Sequence, residues 1–173
     1  VSLDVGMAQN GWREVDKHAT IVGLQELHER AEELVETEAA FLRSERIALV
    51  IADIPPLAFK AAHKAGVPSI AVSNFDWPFI YHGALQGAKG LDEALRPVLD
   101  ACARATLALR LPFSSAESMS SFPRVEQTTL LARHSHARRA DVRRKLELDD
   151  DTTLVLALFG GFGGSAVDFE ELC

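Results

Sequence analysis

The chain has 173 residues, 47% hydrophobic and 25% charged, with a net charge of −7, the composition of an ordinary soluble globular protein long enough to hold a sizeable core. The acidic balance argues against nucleic acid as a main partner, and no apolar run nears the roughly 20 residues of a membrane span, so any membrane contact is expected to be peripheral. Two cysteines, Cys102 and Cys173, make neither a disulfide framework nor a metal pattern, so a cytoplasmic protein without metal or cofactor is expected.

In chain order, the opening VSLDVGMAQNGW carries neither a basic leader nor an apolar signal core. From Asp16 to about Ser44, Ile21, Leu24, Leu27, Ala31, Leu34 and Val35 recur at three/four spacing with acidic residues opposite, which predicts a long packing helix. At about 1.5 Å per residue it would reach about 43 Å, and a kink or break near Thr20–Gly23 is expected. Ile47–Ala52 is a continuous apolar run ending at Asp53, the pattern of a parallel strand covered on both faces. Pro55 and Pro56 suit a helix's first turn, which loses nothing by a missing N–H, and Gly66 marks that helix's end.

Ser69–Ser73 reads as the next strand, completing a βαβ unit with a right-handed crossover. Further on, Pro78–Gln86 and Leu91–Arg104 read as helices, Thr106–Leu111 as a strand and Pro112–Pro123 as a loop. Val125–Leu131 reads as extended, Arg138–Leu146 as a basic helix and Leu154–Phe159 as a last buried strand. The fold class predicted is α/β, a Rossmann-like parallel sheet with flanking helices.

In such sheets ligands bind beyond the carboxyl ends of the strands, where Asp53 and the segment Asn74–Tyr81 fall. Asp53 suits either a cap for the following helix or a ligand contact. Asn74, Phe75, Asp76 and Trp77 combine amide, carboxylate and aromatic groups that could bind a sugar's hydroxyls and C–H surface. The same residues would serve equally as core anchors and a capping pair. Asp53 and Asp76 are the candidate bases, and Asn74 and Trp77 the candidate substrate contacts. Gly160, Gly161 and Gly163 lie between an apolar run and a helix start, where backbone N–H groups can approach a phosphate. Gly161, Gly163 and Ala166 also fit a dinucleotide spacing, whose acid would fall beyond Cys173. His134 and His136 have no carboxylate or Cys close by, so no metal site is predicted. Neither G-x-S-x-G nor a P-loop occurs.

DVGMAQ, the stretch from Glu38 to Tyr81 with its D-I-P-P and N-F-D-W segments, LLARHSHARRADVRRKLEL and LVLALFGGFGG resemble a group of bacterial glycosyltransferase-like proteins. These have the two-domain GT-B architecture and are related to the family-28 transferases; the domain fused in front of plant arabinose kinases is also similar. The resemblance implies an acceptor-side Rossmann-like domain over residues 1–131, with its first strand missing. It places an interdomain linker and helix at 132–153 and the start of a nucleotide-sugar-binding domain at 154–173. It further implies that Asp53, Asn74, Asp76 and Trp77 face the interdomain cleft and that Gly160–Gly164 lies by the donor diphosphate. The partners expected are a nucleotide-sugar donor and an unknown acceptor, with an inverting transfer to an acceptor hydroxyl. Both ends of the architecture are expected to lie outside the chain, which would be inactive alone. The alternatives are a non-catalytic sugar-sensing module and a fragment of a dinucleotide-binding oxidoreductase.

Overall fold

The computed structural model describes residues 2–10 and 14–156. The chain divides into two compact units, Val1–Leu130 and Leu131–Cys173. The first helix, α1 (Lys17–Ser44), starts where the Asp16 side chain accepts a hydrogen bond of 2.8 Å from the Ala19 amide, satisfying an amide that has no partner in the first turn. It then runs unbroken for 28 residues, so the expected break near Thr20–Gly23 does not occur. Thr20 folds its hydroxyl back onto the Asp16 carbonyl at 2.8 Å. Gly23 serves close approach, since a Cβ there would lie 3.1 Å from a Val5 methyl.

After α1 come β1 (Val50–Ala52), α2 (Pro56–Ala65) and β2 (Ser69–Ser73). Pro56 opens α2 and Gly66 ends it in left-handed backbone at φ 75°, a conformation that costs glycine little. Two helices follow, α3 (Trp77–Ala84) and α4 (Leu91–Cys102), then β3 (Leu107–Arg110) and β4 (Val125–Gln127). The sheet is entirely parallel in the order β1-β2-β3-β4, so the α/β fold with a flanked parallel sheet is what forms.

Strands that advance in one direction through right-handed crossovers put their connecting helices on the same face. The burial follows that rule. Ser69, Ala71, Ser73 and Ala108 share one face by register and are all buried. The main core on that side gathers Phe59, Tyr81, Leu85, Leu95 and Cys102, and a smaller cluster of Ala31, Val35, Leu57 and Ala61 joins α1 to α2. Ile51, Ile70, Val72, Leu107 and Leu109 share the opposite face, and none belongs to either cluster. Ile51 is 67% exposed. The expectation that Ile47–Ala52 is a strand covered on both faces is therefore corrected: β1 is an edge strand with one bare face. It is also shorter than the apolar run, because the Ile47 amide closes the end of α1 on the Leu42 carbonyl at 3.0 Å.

In the second unit, α5 (Arg139–Lys145) is followed by a turn held by Arg143. This buried guanidinium donates to the carbonyls of Asp149 and Thr152, the latter at 2.7 Å. Leu154, Val155 and Leu156 are exposed and belong to no strand. The rest of the strand expected there, and the loop with Gly160, Gly161 and Gly163, lie outside the described residues.

Candidate functional site

The carboxyl ends of the strands form a ledge built by register. Asp53 follows β1 directly and is exposed; Asn74 follows β2 and is half-buried. Ser73, Arg110 and Gln127 stand side by side at the ends of β2, β3 and β4. Asp53 is not the cap that its position invites: α2 is capped by Pro55 without a side-chain hydrogen bond, because proline's fixed φ already suits a helix entry. Its carboxylate is left at the surface.

Asp76 is different. It is 0% exposed, and its two oxygens accept from the Phe79 amide at 2.8 Å and the Ser121 amide at 3.1 Å. Its own amide donates to the Ser118 carbonyl at 2.7 Å. Burial pushes its pKa above the usual carboxylate range, against the pull of those two backbone donors. This is the geometry of a helix cap that also ties the loop after β3 to the start of α3.

Trp77 turns toward the helical side. Its indole N–H donates to the Asp4 carboxylate at 3.2 Å, and its ring stacks on Tyr81 with centroids 5.3 Å apart. The buried Tyr81 hydroxyl donates to the Val5 carbonyl, and burial raises its pKa. The slot beside these rings, lined by Leu24, His28, Lys60 and Val98, offers about 30 Å³, far below the roughly 300–1,000 Å³ of small-molecule sites. A sugar does not fit there. The four residues singled out by sequence thus divide: Asp53 and Asn74 on the ledge, Asp76 buried as a cap, and Trp77 fastening residues 4–5 to the helices.

Sequence reasoning passed over two features. Arg110 ends β3 as Asp53 follows β1, and a charge closing the apolar run Thr106–Leu111 was the available signal. Its guanidinium donates to Gln127 at 3.2 Å and to the carbonyls of Ser115 and Ala116 at 3.3 and 2.9 Å. The second is a groove of about 780 Å³ between α3 and residues 117–121, lined among others by Phe79, His82, Gln86, Leu99, Glu117 and Ser120. Its size lies within the roughly 300–1,000 Å³ of small-molecule sites, and its lining mixes an aromatic face with groups that bond hydroxyls. Asp76 stands behind this lining and accepts from the amides of two residues in it, Phe79 and Ser121.

Burial pushes the Cys102 thiol up to about 12, which makes it an inert core group. Among the described residues no group of three or more His, Cys, Asp or Glu is placed to hold a metal ion. Among them, too, no helix is long and apolar enough to cross a membrane.

The class of protein that these features define is a parallel α/β domain wound on one face, with a polar ledge at the carboxyl ends of its strands. In sequence it is 32% identical, over 164 residues and 93% of its length, to the L-arabinokinase of Arabidopsis thaliana. The chain spans 16% of that protein. No protein-family model matches the chain, and no solved structure matches it.

Proposed function

We propose that this chain is a carbohydrate-recognising α/β module whose ligand meets the carboxyl ends of β1 and β2. The observation that carries this reading is the extended identity with a stretch of a protein named for a sugar, L-arabinokinase, in a fold whose ligand side presents an exposed carboxylate and an amide. Asp53 and Asn74 accept and donate the hydrogen bonds that sugar hydroxyls need.

In its finer form the reading is a glycosyltransferase-like protein of GT-B type. Residues 1–131 would be the acceptor side, 132–153 the link and 154–173 the entry to a nucleotide-sugar domain. In the complete protein a base takes the proton of an acceptor hydroxyl as its oxygen bonds to the anomeric carbon of the donor. The bond to the nucleoside diphosphate breaks on the opposite side, and the configuration inverts. Asp53 is the better base of the two carboxylates considered, because Asp76 has both oxygens taken by backbone amides. Gly160, Gly161 and Gly163 would face the leaving diphosphate.

A second reading, a non-catalytic sugar-sensing module, is favoured by one fact: the relative is named as a kinase, and this chain matches only 16% of it. Calorimetric titration separates the readings. L-arabinose, uridine diphosphate and a uridine diphosphate sugar are titrated into this chain and into a version extended at both ends. Nucleotide-sugar binding by the extended form supports the transferase. Binding of free sugar without nucleotide in both forms supports the sensing module. No binding to either form contradicts both.

A further inference from the structure

We propose that Phe113 is a ligand-stacking residue, held at the carboxyl edge of the sheet to cover one face of a carbohydrate ring. The proposal rests on the reading above that this edge takes a sugar. Phe113 is 90% exposed and stands in left-handed backbone at φ 63°. Both properties are unfavourable. A bulky side chain is strained in that region, where glycine or asparagine sits easily, and an exposed phenyl ring forgoes the gain from leaving water.

The surrounding loop is not slack chain that would let the ring fold away. Its start is pinned by the Leu111 amide on the Ser73 carbonyl at 2.8 Å, and the Ser114 hydroxyl closes back on the Leu111 carbonyl at 2.7 Å. Arg110 reaches from β3 to grip the carbonyls of Ser115 and Ala116. The Ser118 hydroxyl bonds the Ser115 carbonyl at 3.0 Å, and the Ser118 carbonyl is held by the Asp76 amide. Residues 110–118 are thus fastened to β2, to β3 and to the buried cap, with the phenyl ring displayed beyond them.

The chemistry fits a sugar ring. Carbohydrates carry C–H-rich faces that settle on aromatic rings, while their rim of hydroxyls needs polar partners. The ledge supplies such partners at Asp53 and Asn74, at the ends of neighbouring strands. Stacking also tolerates different sugars, so Phe113 would contribute affinity and the polar ledge selectivity.

The test uses the full chain and two variants, Phe113→Asn and Phe113→Tyr, with L-arabinose and a uridine diphosphate sugar as probes. Phe113→Asn relieves the backbone strain and should raise the melting temperature by about 2–4 °C, so lost binding would not reflect a failure to fold. It should weaken probe binding roughly three- to tenfold, while Phe113→Tyr retains it. Unchanged affinity in Phe113→Asn overturns the stacking role and leaves the carbohydrate reading standing. No binding of either probe by the parent chain or by the form extended at both ends overturns both.

Discussion

The two faces of the sheet are built from different side chains, small Ser and Ala on one and Ile, Val and Leu on the other, and only the first is sealed. On the first, Ala71 and Ala108 are wholly buried beneath the helices and the loop that carries Met119 and Phe122. On the second, Ile51 is 67% exposed, and Ile70, Val72, Leu107 and Leu109 join no core cluster. Topology makes the difference: four parallel strands in consecutive order place their crossover helices on one side only. The small residues mark where helices come close, and the β-branched and leucine positions mark the side they leave. A continuous apolar strand therefore tells how a sheet is suited to be covered, but not which face is covered in a given chain.

The comparison breaks most visibly at the tie below the sealed face. Asp76→Ala leaves the Phe79 and Ser121 amides without acceptors and should cost about 2–4 kcal/mol, measured by urea unfolding. A loss no larger than that of an exposed substitution would refute its capping role. Enlarging a side chain on each face sharpens the contrast. Ala108→Leu should destabilise by about 1–3 kcal/mol through overpacking, whereas Val72→Leu on the open face should stay within about 0.5 kcal/mol. Equal losses would mean that the open face is packed after all.

A smaller effect is expected from pH. Burial holds the Asp76 carboxyl above its ordinary value of 3.8, so the folded state binds that proton more tightly than the unfolded chain. The contribution of this group to stability is complete below 3.8 and is lost as pH rises through the raised folded value. Asp76→Asn, which cannot titrate, should lack that fall; identical pH profiles of the urea midpoint would contradict it. The smallest change in stability is expected from Ile51→Lys, which should leave the unfolding midpoint nearly unaltered while reducing self-association at the open edge. Unchanged sedimentation at high concentration, in a parent chain that self-associates, would show that the edge is not what attracts a second copy.

Much of the fold was legible because its signals are local. The three/four spacing from Ile21 to Val35 gives α1, Pro56 and Gly66 bracket α2, and the apolar run Ser69–Ser73 gives β2. The open face of β1 was not legible, since IALVIA reads alike in an edge strand and in a covered one. At the site, position along the chain located Asp53 and Asn74 correctly at strand ends. It could not tell that Pro55 rather than Asp53 caps α2, or that Asp76 is closed over by residues 118–121. The partners of Trp77 and Tyr81, Asp4 and Val5, lie 73 and 76 residues away, and no local pattern announces contacts of that range. Arg110 and Phe113 were read through as strand and loop because their importance lies in hydrogen bonds and backbone conformation, which composition does not carry.

The central claim, that the ligand side is the carboxyl ledge, is tested most directly by amide NMR shifts of the full chain during titration with L-arabinose and with a uridine diphosphate sugar. The account predicts shifts concentrated at Asp53, Asn74 and residues 110–115, with little change around Asp4, Trp77 and Tyr81. Shifts centred on the Trp77–Tyr81 side, or none with either ligand in this chain and in the form extended at both ends, would contradict it.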